Sequence, residues 1–213
     1  MTTLREIASN LRRGLLRVRP LDQEPFATHL PVLAALAQAV EVRRVLELGS
    51  GAYSTPLFLD RGVFPLLEVL HSYEDDREWS TTVLDRVGSD PRLELRLVDA
   101  VPDAVPQDLS HYDLIFIDDS QNSVARSRTI RQVAARRPNG LIAIHDFETR
   151  TYRREARRFD NRMTFSVFTP QVGVAWNGQN VDRARLRRAV RAIQTGSEIG
   201  VTDQDRWVAH LRS

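Results

Sequence analysis

Acidic residues close five successive apolar runs of this sequence: Glu47; Glu74 with Asp75 and Asp76; Asp99; Asp118 with Asp119; and Asp146, preceded by His145. Directly after the first run come Gly49 and Gly51, then the small hydroxyl residues Ser54 and Thr55. Glycines in such a turn let the backbone approach a ligand with no Cβ in the way, and the turn can aim amide N–H groups at an anion. A single acid at a strand end is usually a helix N-cap. Five in order, brought to one edge of a sheet, point instead to a ligand cleft, because open α/β sheets bind ligands outside the carboxyl ends of their strands. His145 and Asp146 are the candidate catalytic residues, since imidazole titrates near neutrality and suits a general base. The competing structural reading has Asp146 cap the following helix and Asp118 bond to loop backbone.

The elements that must position these residues can be read from the pattern. Residues 45–48, 69–73, 93–98, 114–117 and 141–144 read as strands. The runs at 114–117 and 141–144 are almost wholly apolar, which implies burial on both faces. Apolar helices fall between them: one begins near Thr55, one passes through Trp79, Val83 and Leu84, and one through Val124, Ile130 and Val133. Strands alternating with helices predict a Rossmann-like, doubly wound α/β sheet that is mostly parallel. Two further β-rich runs, 164–168 and 172–176, are separated by only three residues. A gap that short allows a hairpin but no parallel crossover, so a seven-stranded sheet ending in an antiparallel pair is expected. Residues 182–194 read as a helix stopped at Gly196.

Ahead of the first strand, Leu4, Ile7, Leu11 and Leu15 recur at helical spacing, and a second apolar helix runs through Leu33, Leu36 and Val40. Residues 1–40 are therefore expected as a helical extension packed on a core of residues 41–213, one domain overall. The first helix would cover the substrate cleft or form a dimer contact, the second role implying a homodimer. Arg126, Arg128 and Arg131, and Arg150, Arg153, Arg154, Arg157 and Arg158, read slightly better as solvated helix faces than as a site for an acidic substrate. His71 reads as structural, and His111 and His210 as surface residues.

The 213 residues are enough for one domain with a sizeable core. All 30 basic residues are Arg, set against 28 acidic ones, and the net charge of +2 does not by itself indicate nucleic acid. No Cys is present, which excludes disulfides, thiolate metal sites and a cysteine nucleophile, and fits a reducing compartment. No apolar run reaches membrane-spanning length, and the first residues lack the apolar centre of a signal peptide, so a cytoplasmic location with no membrane partner is expected.

Over residues 40–178 the order and spacing of these motifs resemble the class I S-adenosylmethionine-dependent methyltransferases, in particular a small-molecule O-methyltransferase-like branch. VLELGSGAYST is similar to their first motif, SYEDD to the second strand end, VDA to the adenine-binding position, and DLIFIDDS and RPNGLIAIHD to the fourth and fifth strands. The resemblance implies S-adenosylmethionine as cofactor, held by Glu47, Gly49, Gly51, Ser54, Thr55, Glu74, Asp75, Asp99, Ala100 and Asp118. Glu74 would meet the ribose hydroxyls, Asp99 and Ala100 the adenine, and Ser54 and Thr55 the methionine carboxylate. By the same analogy the segment just before the first domain helix passes over the cofactor, so Thr28 or His29 would contact ligand. Where the family often has a third glycine this chain has Tyr53. Catechol-type relatives bind magnesium at comparable strand ends; here Asp118 and Asp146 would be the ligands, but His145 stands where an oxygen donor is usual and disfavours that metal. The expected acceptor is a small molecule, methylated at oxygen. A non-catalytic cofactor-binding module and an RNA methyltransferase are the alternatives. Against the latter, IDDS stands after the fourth strand in place of the Asn-Pro-Pro-Tyr or Asp-Pro-Pro-Tyr type motif of amino-group methylation, so a nucleic-acid partner is not expected.

Overall fold

Alternate side chains of a strand face opposite sides of its sheet, and here both sides are apolar. In the computed structural model, which describes residues 27–166, 169–178 and 181–195, Val45, Leu114, Phe116, Leu141 and Ala143 enter one core, while Leu46, Leu48, Ile115, Ile117, Ile142 and Ile144 enter the other. The elements run α1 (Leu30–Ala39), β1 (Arg44–Leu48), α2 (Ser54–Leu59), β2 (Val69–Glu74), α3 (Arg77–Val87), β3 (Leu93–Leu97), α4 (Val101–Ala104), β4 (Leu114–Ile117), α5 (Ser123–Ala135), β5 (Leu141–Ile144), α6 (Arg150–Glu155), a 3₁₀ turn (Ala156–Arg158), β6 (Asn161–Phe165), β7 (Val172–Trp176) and α7 (Arg183–Thr195). The seven strands lie in the order β3-β2-β1-β4-β5-β7-β6. Strands β1 to β5 pair in parallel, and β7 runs antiparallel to both β5 and β6. Strand order reverses beside β1, so the crevice between the ends of β1 and β4 is the topological switch point at which such sheets bind ligands.

Helices α1, α2 and α7 cover the first face, and α4, α5 and α6 the second. Helix α1 is nearly all buried, and its Leu30, Leu33 and Leu36 pack in the same core as the strands, so the part of the N-terminal extension described here is integral to the domain. The amphipathic run from Leu4 to Leu15, with Gly196 and His210, lies outside the described residues. Among the described residues no helix is long and apolar enough to cross a membrane.

Two sequence expectations shift. The β-rich run at 164–168 predicts the sixth strand there, but the strand occupies Asn161–Phe165, and residues 167 and 168 lie outside the described residues. Its register is set by pairing along the whole of β7, from Asn161 opposite Trp176 to Phe165 opposite Val172. Helix α3 buries Ser80 and Val83 but leaves Trp79 and Leu84 exposed, because it covers β2 and β3 near the open edge of the sheet.

Gly49 takes φ +91°, and a Cβ there would lie 2.5 Å from the Asp118 carbonyl oxygen and from the Asp119 Cα. The glycine thus lets the ends of β1 and β4 close on each other, with backbone on both sides and no flexible atom to yield. Gly49→Ala is expected to destabilise the protein by at least about 2 kcal/mol, read from the midpoint of urea unfolding.

Candidate active site

The first strand-to-helix turn is organised around a buried carboxylate. Glu47 is fully buried, and its oxygens accept hydrogen bonds from Ser54 Oγ (2.5 Å), Thr55 Oγ1 (2.7 Å) and Ser72 Oγ (2.6 Å). Thr55 Oγ1 also accepts from the Gly51 amide. The hydroxyls expected at a ligand carboxylate are therefore turned to Glu47, and Glu47 shapes the loop from beneath. Burial pushes its carboxyl up to about 7, against the three hydroxyl donors that favour the anion.

At the end of β2, Glu74 is buried and holds the same loop from the other side. One oxygen accepts from Ser50 N (3.0 Å) and Ser50 Oγ (2.9 Å), the other from the amides of Asp75 (3.0 Å) and Asp76 (2.9 Å). Burial raises its pKa in spite of these donors. Asp75 is exposed, and Asp76 caps α3 by accepting from the Trp79 amide. The Trp79 indole N–H donates to the Ser50 carbonyl (2.7 Å), which fastens a half-exposed ring to the loop; nothing in the spacing of α3 announced this contact. Asp99 is exposed after β3, and Ala100, in extended backbone, is the N-cap residue of α4. The loop, Glu74 and the end of β3 adjoin, since Val98 N donates to the Glu74 carbonyl.

The ends of β4 and β5 are joined by Arg126. Only 2% exposed, its guanidinium contacts Asp118 Oδ1 through Nη2 (2.7 Å) and Asp146 Oδ2 through Nη1 (2.6 Å), and it lies over the Tyr152 ring at 5.4 Å. The solvated face expected for Arg126, Arg128 and Arg131 is corrected here: Arg128 and Arg131 are exposed, but Arg126 is buried. The missed signal was spacing, because Arg126, Ile130 and Val133 share one stripe of the helix. The arginines of the 150–158 region are exposed, as expected.

His145 is buried at 3% exposure, with both nitrogens engaged: Nε2 with Thr28 Oγ1 (2.8 Å) and Nδ1 with Asp118 Oδ2 (3.2 Å). Burial, the largest single influence, lowers its pKa, but the Asp118 and Asp146 carboxylates together outweigh burial and raise it. Burial would likewise raise Asp118, yet His145 and Arg126 hold it at about 2. His29 packs edge-on against His145, with ring centroids 4.8 Å apart, and burial depresses its pKa to about 3. Asp146 is the open member of the group, with its side chain one-third exposed and its backbone in the left-handed region at φ +52°. Neither structural reading applies, since Asp146 and Asp118 serve Arg126 and His145. His71 bonds to Tyr112 and Glu94 and is structural.

A magnesium ion between Asp118 and Asp146 does not fit this arrangement. The Arg126 guanidinium holds one oxygen of each carboxylate, and magnesium prefers a shell of oxygens.

No protein-family model matches the chain, and no curated protein matches it in sequence. Solved structures do match. The N-methyltransferase NodS from Bradyrhizobium japonicum, in complex with S-adenosylhomocysteine, shares 16% identity at a TM-score of 0.52, covering 79% of this chain and 96% of NodS. Human methyltransferase-like protein 13, also with S-adenosylhomocysteine, shares 14% at 0.55, covering 79% of this chain and 88% of its own. The fold is that of the class I S-adenosylmethionine-dependent methyltransferases. A spermidine synthase in complex with the transition-state analogue AdoDATO has it too, at 14% identity and a TM-score of 0.56; the alignment covers 81% of this chain but 64% of that enzyme, under two thirds of its length.

Two outcomes follow for this methyltransferase-like fold. Arg126→Met leaves Asp118 and Asp146 without their cation and is expected to cost about 3 kcal/mol or more in urea unfolding, with Arg126→Lys recovering only part because one ammonium cannot fork across both carboxylates. Glu47 has its folded pKa raised to about 7, above the carboxyl value of an unfolded chain. Its contribution to stability is thus fully present below the unfolded pKa and is lost as pH rises through about 7. Glu47→Gln should flatten that part of the stability profile, measured as urea midpoints from acid to mildly alkaline pH.

Proposed function

We propose that the protein binds S-adenosylmethionine at the Gly49–Gly51 turn and transfers its methyl group to an oxygen of a small molecule. The observation that carries the reading is the pair of loop-shaping carboxylates, Glu47 beneath the turn and Glu74 beside it, at the topological switch point of a methyltransferase fold. Glu74 presents its carboxylate to the ribose side of the turn, with Asp99 and Ala100 at the adenine side. Ligand entry then exchanges the Ser50 hydroxyl on Glu74 for a ribose hydroxyl, leaving the amide bonds of Asp75 and Asp76 in place.

The sulfonium supplies the electrophile, so the protein has to align the acceptor, exclude water and remove a proton. Asp146 is the group for that last task. Arg126 fixes one of its oxygens, and its side chain is the most open of the cluster. His145, buried with both nitrogens taken, acts from behind by holding Asp118 against the far side of Arg126. It is a positioning residue in this mechanism. Acceptor deprotonation proceeds with no metal in the step. The cytoplasm, with its S-adenosylmethionine supply, is the proposed location.

The likeness to a spermidine synthase favours one second reading, transfer of an aminopropyl group to a polyamine. The two separate by donor and product: labelled S-adenosylmethionine should yield S-adenosylhomocysteine and a methylated acceptor, whereas an aminopropyl transferase would consume only decarboxylated S-adenosylmethionine and release methylthioadenosine. Calorimetry should show S-adenosylhomocysteine binding that Glu74→Ala weakens by about tenfold or more, the worth of hydrogen bonds to a charged group. Undiminished affinity in a folded Glu74→Ala variant removes the ribose assignment. Asp146→Asn should lower turnover by about a hundredfold while leaving S-adenosylhomocysteine affinity intact; equal turnover dismisses Asp146 as the base.

A further inference from the structure

On the side of Asp118 away from Arg126 lies a second constellation. One ring nitrogen of His29, one of His145 and one carboxylate oxygen of Asp118 all lie within 4.8 Å of one another. His145 Nδ1 and Asp118 Oδ2 are 3.2 Å apart. Ligand atoms about 2.1 Å from a tetrahedral ion sit roughly 3.4 Å apart, so this pair already has the bite of a chelate. The widest separation, at most 4.8 Å, exceeds that bite by about 1.4 Å, the adjustment that binding has to make.

His29 supplies the independent observation. It is 2% exposed, and among the described residues neither of its ring nitrogens has a hydrogen-bond partner. A buried imidazole with both nitrogens unsatisfied is unfavourable unless something fills the gap. The other half of the arrangement is also ready. Thr28 Oγ1 meets His145 Nε2 at 2.8 Å, and a partner on one ring nitrogen orients the other toward a metal.

Charge agrees with a cation here. With His145 neutral, as a metal ligand must be, and the pH above the raised Asp119 value of about 6, Asp118, Asp119 and Asp146 surround the guanidinium of Arg126 with an excess of two negative charges. A dication cancels that excess. Two imidazoles and one carboxylate select a borderline transition metal, such as zinc, cobalt(II) or iron(II), over magnesium or calcium.

We propose that His29, His145 and Asp118 bind one divalent transition-metal ion, which ties the segment before α1 to the ends of β4 and β5. The partly exposed Asp118 side leaves the remaining coordination position to water. This site differs from the Asp118–Asp146 gap, which Arg126 fills, and it does not depend on the methyl-transfer reading.

The test uses the whole chain stripped with chelator, then titrated with zinc and with cobalt(II). The expected result is one equivalent per chain by elemental analysis, a cobalt(II) visible spectrum of four-coordinate nitrogen and oxygen ligation, and a rise in thermal midpoint. His29→Gln, close to imidazole in size, should lower the affinity by about a hundredfold, with circular dichroism and the urea midpoint of the metal-free protein reporting an intact fold. No retained metal in the wild-type chain overturns the proposal. So does metal binding of equal affinity in His29→Gln, which would locate the ion elsewhere. If His29→Gln fails to fold, the wild-type spectrum decides: an octahedral, all-oxygen cobalt(II) signature overturns the site.

Discussion

Carboxylates crowded along one edge of a parallel sheet need donors, and finding those donors shapes this molecule. Buried acid groups left alone would cost several kcal/mol each. Each is answered differently. Glu47 takes three hydroxyls, Glu74 takes amides and a hydroxyl from its neighbours, Asp119 takes Thr129, and Asp118 and Asp146 share Arg126. The loops at the carboxyl ends of the strands are consequently held from below by side chains of the strands themselves.

That arrangement divides the edge into two regions of different character. Around β1 and β2 the carboxylates meet neutral donors, and burial raises their pKa values. Around β4 and β5 a buried guanidinium and an imidazole meet carboxylates, and Asp118 is held at about 2. A neutral, hydroxyl-rich cradle suits an uncharged polar ligand, while a fixed charge cluster suits a place where charge develops. The break between the two falls beside β1, where the strand order reverses.

The edge is also where the N-terminal segment joins the domain. Thr28 and His29 reach His145 and thereby the ends of β4 and β5, while α1 directly after them packs against α7 and the first core. His145 thus links the side chain of Thr28, before α1, to Asp118 at the end of β4.

By itself the sequence determined the sheet. The apolar runs at 114–117 and 141–144 matched β4 and β5 residue for residue, because a strand buried on both faces admits almost no polar residue. The strand-end acids were legible for the same reason, standing out where apolar runs stop. The sixth strand was less legible: its register depends on pairing with β7, a non-local matter to which edge strands with mixed faces give little local signal. What only tertiary structure decided was who meets whom. Arg126 looked like one arginine among many, yet its position on the buried stripe of α5 brings it between carboxylates of two other strands. Ser54 and Thr55 looked like ligand donors, yet the fold turns them to Glu47. His29 and His145 are separated by more than a hundred residues, and only the packing of α1 against the sheet makes them neighbours. Hydrogen bonds and ion pairs act over a few ångströms in space, and sequence spacing reports that distance only within a single helix or strand.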